Sequence, residues 1–202
     1  MIRFIGKLPK KCVVAFSGGV DSVSVTDFLL GGRRDVELAF FHHGTQASTE
    51  AERFVMEFAE KRGLRVTVGR ISGPRPRGLS QEEHWRDERY SFLASFRESP
   101  VITCHHLDDA VETWIFTSLH GQSRLIPYTR GNVIRPFLLT EKEDLVAWAT
   151  RRKLTWSEDP SNGDTRYMRN LIRSDIVPVA LRVNPGLKKV IKKKYMSVSD
   201  GV

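Results

Sequence analysis

Cysteine is scarce in this chain: Cys12 and Cys104 are the only two in 202 residues. So few exclude a disulfide framework or a thiolate metal cluster. Both lie in short apolar runs, so they read as buried core thiols. Long hydrophobic stretches are missing too. No run approaches the roughly 20 residues that span a bilayer, and the opening MIRFIGKLPKK has no secretory apolar segment. A membrane protein and a secreted disulfide scaffold are thereby set aside, and the cytoplasm is the expected compartment. Acidic residues are in deficit, 24 Asp and Glu against 32 Lys and Arg, leaving a formal charge of +8. That balance favours a polyanionic partner, and it gains weight only if the chemistry points the same way. With 40% hydrophobic and 28% charged residues, a chain of 202 can bury the core of one domain with a small appendage.

What is present is organised around Cys12-Val13-Val14-Ala15-Phe16-Ser17-Gly18-Gly19-Val20-Asp21-Ser22. An apolar, β-branched run reads as a buried strand; it turns through Ser-Gly-Gly into a segment of helical length. Adjacent glycines let backbone N–H groups converge, the helix start adds free N–H groups and its positive dipole end, and Ser17 and Ser22 add hydroxyls. The product is an anion cradle suited to phosphate. It differs from the common P-loop, whose glycines are wider apart and which ends in Lys-Ser/Thr; here Asp21 stands in the loop and no lysine follows. A carboxylate beside phosphates needs a cation between them, which points to Mg²⁺. SGGVDS resembles the PP-loop of the ATP pyrophosphatases, which cleave ATP to AMP and pyrophosphate.

Further strands read at Val36–Phe41, Leu64–Ile71, Val101–Cys104 and Val133–Ile134. Thr49-x-x-Glu52, Ser80-x-x-Glu83 and Thr140-x-x-Glu143 read as capping boxes opening helices. Ala51, Phe54, Val55, Phe58 and Ala59 form a helical stripe. Alternating strands and helices predict an α/β fold with a doubly wound, mostly parallel sheet. Ligands of such sheets bind beyond the carboxyl ends of the strands, which would bring Ser17 to Ser22, His42-His43 and His105-His106 to one rim. Residues 1–186 are expected to form the catalytic domain, with 134–186 as its closing segment. Residues 187–202, with five lysines between Lys188 and Lys194, are expected to be a flexible basic tail.

Two more stretches carry chemistry. In His105-His106-Leu107-Asp108-Asp109-Ala110-Val111-Glu112-Thr113, Asp109 and Glu112 share a face on the opening turns of a helix. Later come Arg135-Pro136-Phe137-Leu138, Trp156-Ser157-Glu158-Asp159-Pro160-Ser161-Asn162 and Arg166-Tyr167-Met168-Arg169-Asn170-Leu171-Ile172-Arg173. HHLDDxxET, RPFL, W-x-EDPSN and Y-x-RN-x-IR, in this order over about residues 12 to 186, resemble the tRNA(Ile)-lysidine synthetases. Arg86 and Arg89-Tyr90 match that family's arginine-rich helix.

The resemblance implies a two-step reaction. ATP adenylates the C2 oxygen of the wobble cytidine in a CAU-anticodon tRNA(Ile), and free lysine then displaces AMP to give lysidine. It implies ATP held by Ala15, Phe16, Ser17, Gly18, Gly19, Val20, Asp21, Ser22 and His43, with Mg²⁺ on Asp21 and Asp109. Lysine falls to Asp109 and Glu112, catalytic roles also to His105, Arg86 and Arg89, and tRNA to Arg169, Arg173, Lys188, Lys189, Lys192 and Lys193. The chain departs from the family at His43-Gly44-Thr45-Gln46, where His-Gly-Leu-Arg is usual, and at His120-Gly121, where Arg-Gly is common. On this resemblance the chain is expected to be a short form, without the C-terminal domains with which longer members hold tRNA. The competing readings are a tRNA thiolase of the same superfamily, which the two separated cysteines disfavour, and a non-catalytic tRNA-binding protein, which has no need of Asp21, Asp109 and Glu112.

Overall fold

In the computed structural model, residues 1–158 and 168–199 are described. The stretch Asp159-Pro160-Ser161-Asn162 and the pair Arg166-Tyr167 fall outside them. The centre of the fold is β1 (Lys11–Ala15), whose Cys12, Val13 and Val14 are buried on both faces. β2 (Asp35–His42) pairs parallel on one side and β4 (Val101–Thr103) on the other. β3 (Val66–Arg70) extends the sheet beyond β2, and β6 (Val133–Ile134) extends it beyond β4. β5 (Thr129–Arg130) closes that edge antiparallel, giving the order β3-β2-β1-β4-β6-β5. The doubly wound, mostly parallel sheet expected from the alternating pattern is what forms.

Side-chain alternation assigns the two faces. Cys12, Val14 and Phe16 join Leu38, Phe40 and Ile102 under α1 (Val20–Gly31), α2 (Gln46–Glu60) and α5 (Lys142–Arg151). Val13, Ala39, Val101 and Val133 turn the other way, toward Tyr90, Phe92 and Leu93 of α3 (Gln81–Ala94). Successive strands run outward in both directions from β1 and β4, so the loops leaving these two strands diverge. That switch point opens a crevice at their carboxyl ends. α1 leaves from β1 there, and α4 (Leu107–Leu119) leaves from β4.

α1 and α5 lie side by side in parallel register. Ser24 Oγ donates to the Leu145 carbonyl at 2.8 Å. Trp148 Nε1 and Arg152 Nε donate to Asp27 Oδ2 at 3.0 and 3.1 Å. The two N-termini therefore sit together at the rim.

Three expectations are corrected. α2 starts a turn earlier than Thr49: Thr45 is its cap, accepting from Ser48 N at 3.1 Å, and Glu52 is spent on Arg70 at 2.6 Å. The Thr140 box does not form, because Thr140 bonds the backbone of Arg3 through both its N–H and its carbonyl. Glu141 is the N-cap residue of α5 and gives no side-chain cap; Asp108 Oδ2 instead accepts from Lys142 N at 2.7 Å. The Ser80–Glu83 box is present in both directions.

The third correction concerns the basic tail. Beyond α6 (Met168–Leu171), a π-helical turn (Ile172–Ile176) and α7 (Val177–Val183), residues Leu187–Ser199 form α8. Leu187, Ile191 and Tyr195, spaced four apart, are buried against Leu107, Val111 and Ile115 of α4. An apolar stripe at helical spacing outweighs the lysines, of which Lys189, Lys193 and Lys194 are exposed. We expect Ile191→Ala to lower unfolding free energy by about 2–4 kcal/mol, read from urea melts; a mobile tail would give no change.

Candidate active site

The loop after β1 is shaped by its own residues. Gly18 has φ +85°, and a Cβ there would come within 3.0 Å of the Phe54 ring, so only glycine fits the turn. Ser22 Oγ donates to the Gly19 carbonyl at 2.9 Å and accepts from Gly18 N at 3.1 Å. Ser17 Oγ accepts from Gly19 N at 3.3 Å. Both serines thus brace the cradle as well as facing it. Gly19 caps α1 without a side chain, which leaves the helix start open to an anion. Ala15 and Phe16 anchor the loop, Phe16 packing on Phe58 at 4.8 Å. From the far side, Ser157 N donates to the Gly18 carbonyl at 2.9 Å, so the closing segment touches the loop.

Asp21 occupies the first turn of α1, beside Val20. Lys142 Nζ lies 2.7 Å from each of its carboxylate oxygens. Burial opposes its ionisation, but the hydrogen bond and charge of His106, then Lys142, offset this and hold its carboxyl below the usual range. His106 caps α4. Its N–H donates to Asp109 Oδ2 at 2.9 Å, and Asp109 N donates back to its Nδ1 at 3.4 Å. His106 Nε2 stands 3.7 Å from Asp21 and 3.5 Å from Asp109, so one ring links the loop to α4. Burial would raise the Asp109 carboxyl, yet the charges of His106, His105 and Arg169 and the His106 amide bring it down to about 2.

Glu112, one turn along, is buried and faces the same way. Arg173 grips it with two bonds, Nε at 2.6 Å and Nη2 at 3.0 Å, and reaches Asp109 at 3.8 Å. Arg169 Nε lies 3.9 Å from Glu112. Arg173 stands in the π-helical turn, a distortion that re-aims side chains at functional sites. Asp109, Glu112, Arg169 and Arg173 are thus brought together with the loop.

A cationic group forms the adjoining wall. Arg135 of the RPFL motif is buried, donating Nη2 to the Tyr90 hydroxyl at 2.9 Å and Nη1 to the Pro127 carbonyl at 2.7 Å. Arg86 and Arg89 lie 5.8 and 5.9 Å from the Tyr90 ring, Arg86 exposed and Arg89 half-buried. His105 sits between this group and α4, with Nδ1 2.9 Å from Thr103 Oγ1. Burial above all pushes its pKa down to about 4, so it is neutral at pH 7. His43 lies farther out, its amide donating to Ser48 Oγ at 3.2 Å and its ring 5.1 Å from Trp85.

The lysines of α8 divide. Lys188 binds Asp108 at 2.7 Å and Glu141 at 3.1 Å, and Lys192 binds Glu141 at 2.8 Å. Lys189 and Lys193 stay on the exposed face. Sequence reasoning missed Lys142, His106 as a cap, and Asp108. The reciprocal His106–Asp109 spacing was the one readable signal.

Mg²⁺ is commonly held by one or two carboxylates with phosphate oxygens completing its shell. Asp21 and Asp109, converging on His106 at the mouth of an anion cradle, fit that use. Among the described residues no three acidic, His or Cys side chains form a protein-only cage.

A Ser-Gly-Gly turn opening a helix at the switch point of a doubly wound sheet, with carboxylates at its mouth, defines the class. Residues 3–180 match the PP-loop domain family, and the chain belongs to it. Within that class the resemblance to lysidine synthetases is borne out. The chain is 36% identical over 180 residues to a tRNA(Ile)-lysidine synthase of Methylococcus capsulatus, covering 82% of this chain and 41% of the relative. It is 34% identical over 194 residues to that of Persephonella marina, covering 88% and 43%. The chain therefore spans less than half the length of these relatives.

Among solved structures, the U34-tRNA thiolase NcsA from Methanococcus maripaludis with its [4Fe-4S] cluster superposes with a TM-score of 0.72 over 97% of this chain and 74% of that one. An NH3-dependent NAD synthetase from Campylobacter jejuni gives 0.51 over 95% and 86%. Both are 15% identical, so the likeness is one of fold.

Removing one partner of a buried carboxylate leaves a charge without compensation. Arg173→Ala should cost about 1–3 kcal/mol, discounted because the guanidinium is half-exposed. In denaturant melts, adding Glu112→Gln to it should cost less than the sum of the single changes. The pH profile offers a second test. His105's folded pKa of about 4 lies below its ordinary 6.5, so the unfolded chain binds more protons between these values. Its contribution to stability is complete above pH 6.5 and lost as pH falls toward 4. His105→Gln should flatten the loss across that window, measured by urea melts at several pH values.

Proposed function

We propose that this chain is an ATP-dependent tRNA-modifying enzyme that makes lysidine. It would adenylate the C2 oxygen of the wobble cytidine in a CAU-anticodon tRNA(Ile) and then exchange AMP for free lysine. The observation that carries the reading is the meeting, at the carboxyl ends of β1 and β4, of Asp21 with Asp109 through His106 and of Asp109 with Glu112 through Arg173. The curated relatives support the chemistry, and the net charge of +8 suits a polyanionic substrate.

In this reading the cradle 15–22 and the open start of α1 hold the triphosphate, with His43 toward the nucleoside. Asp21 and Asp109 would hold Mg²⁺, which would offset charge on the phosphates. The C2 oxygen attacks the α-phosphorus and pyrophosphate leaves. That step is needed because a carbonyl oxygen is a poor leaving group and AMP a good one. Asp109 and Glu112 then face the ε-ammonium of lysine and orient it; once the ammonium has passed a proton to water, the nitrogen bonds to C2 and the C2–O bond breaks, AMP departing with the oxygen. Neutral His105, Arg86 and Arg89 line the wall beside the reacting groups. Arg169, Arg173 and the lysines of α8 form the basic side for tRNA. Lys189 and Lys193 are the exposed contacts, and Lys188 and Lys192 hold α8 in place.

The test is mass spectrometry of nucleosides from a CAU-anticodon tRNA(Ile) transcript incubated with protein, ATP, Mg²⁺ and labelled lysine. Labelled lysidine at the wobble position is expected; AMP and pyrophosphate without it would reassign the nucleophile or the RNA. Asp21→Ala and Asp109→Ala should each abolish pyrophosphate release, and full activity in either would sink the metal assignment.

A further inference from the structure

The phosphate-binding turn contains no lysine, yet one reaches it from 121 residues away. Lys142 is the first residue of α5, and α5 lies in parallel register with α1, so its side chain arrives beside the first turn of α1. Its backbone is held independently of its side chain. Lys142 N donates to Asp108 Oδ2 at 2.7 Å, and the preceding Glu141 is clamped by Lys188 and Lys192 at 3.1 and 2.8 Å. This anchoring fixes the root of a long stem without engaging its ammonium.

The ammonium rests on both oxygens of Asp21 at 2.7 Å. As a structural ion pair this is a weak device: the Lys142 side chain is 41% exposed and that of Asp21 is 29% exposed. Such pairs contribute little to stability. The pair stands instead where the anion cradle opens, with the starts of α1, α4 and α5 around it. An ammonium has three donors, and the pairing with Asp21 uses two directions, leaving another for a phosphate oxygen.

We infer that Lys142 is the phosphate-binding lysine of this site, supplied from α5 and held on Asp21 until a metal-bound triphosphate arrives. With a divalent cation bound at Asp21, the ammonium would turn toward the β- and γ-phosphates and balance charge on the departing pyrophosphate. This assignment rests on the nucleotide reading above.

Isothermal titration of the full chain with Mg·ATP, Mg·pyrophosphate and AMP tests it, using wild type, Lys142→Met and Lys142→Arg. One charge-assisted contact corresponds to about a ten- to hundredfold change in affinity. Lys142→Met should weaken Mg·ATP and Mg·pyrophosphate by that amount, leave AMP within about twofold, and keep the melting temperature near wild type. Lys142→Arg should recover much of the loss. Unchanged Mg·ATP affinity in Lys142→Met, whatever its melting temperature, would overturn the assignment and make the lysine a counter-ion of Asp21 alone. Equal losses for AMP and Mg·ATP would also overturn it, as a sign of a distorted loop. No binding of either phosphate ligand by wild type would overturn the nucleotide reading itself, and this assignment with it.

Discussion

Carboxylates packed at the start of helices must be compensated, and that constraint shapes this site. Asp21, Asp108 and Asp109 stand on the first turns of α1 and α4, and Glu112 is one turn further in. The helix dipoles favour them there, but weakly, by some tenths of a kcal/mol to about 1 kcal/mol each. For the two deepest, Asp109 and Glu112, burial raises the cost of being left unpaired well above that. The structure answers each one: Lys142 on Asp21, Lys188 on Asp108, His106 on Asp109 and Arg173 on Glu112. The positions of α5, the π-helical turn and α8 are the places from which these cations can reach.

This explains which parts of the fold were legible in the sequence. The strands β1 and β4 announce themselves as β-branched runs, β2 as an apolar run ending in Phe40-Phe41, and the Ser-Gly-Gly turn announces the cradle, because each depends on local chemistry. The shared face of Asp109 and Glu112 is likewise a matter of helical spacing. What could not be read is which carboxylate meets which cation, since Asp21–Lys142 and Glu112–Arg173 are set by how helices pack. Thr140 shows the same limit from the other side. Its Thr-x-x-Glu spacing is a sound local signal, but the backbone of Arg3 takes the hydroxyl, and Asp108 supplies the cap from another helix.

α8 was misread for a related reason. Five lysines between 188 and 194 dominate the composition, while the stripe Leu187, Ile191, Tyr195 is spread thinly among them. Burial of that stripe against α4 is decisive, because α4 would otherwise expose Leu107, Val111 and Ile115. Two of the lysines then become struts: Lys188 and Lys192 tie α8 to Glu141, and Lys188 also binds Asp108. A charge run that looks like a solvated surface is partly structural once one helical face is anchored.

The order of these charges along the chain has a consequence for recognising a polyanion. Asp21, Asp108, Asp109 and Glu112 all precede residue 120, whereas Lys142, Arg169, Arg173, Lys188 and Lys192 follow residue 140. The sheet, α1 and α4 alone would present a cleft whose carboxylates repel phosphate, however well the Ser-Gly-Gly turn is shaped. α5, the π-helical turn and α8 set cations against those carboxylates. The same segment contacts the turn directly, through Ser157 on the Gly18 carbonyl. The cradle and its cover are therefore built together: backbone N–H groups supply the shape, and cations of the later half of the chain join Arg86, Arg89 and Arg135 in supplying the charge.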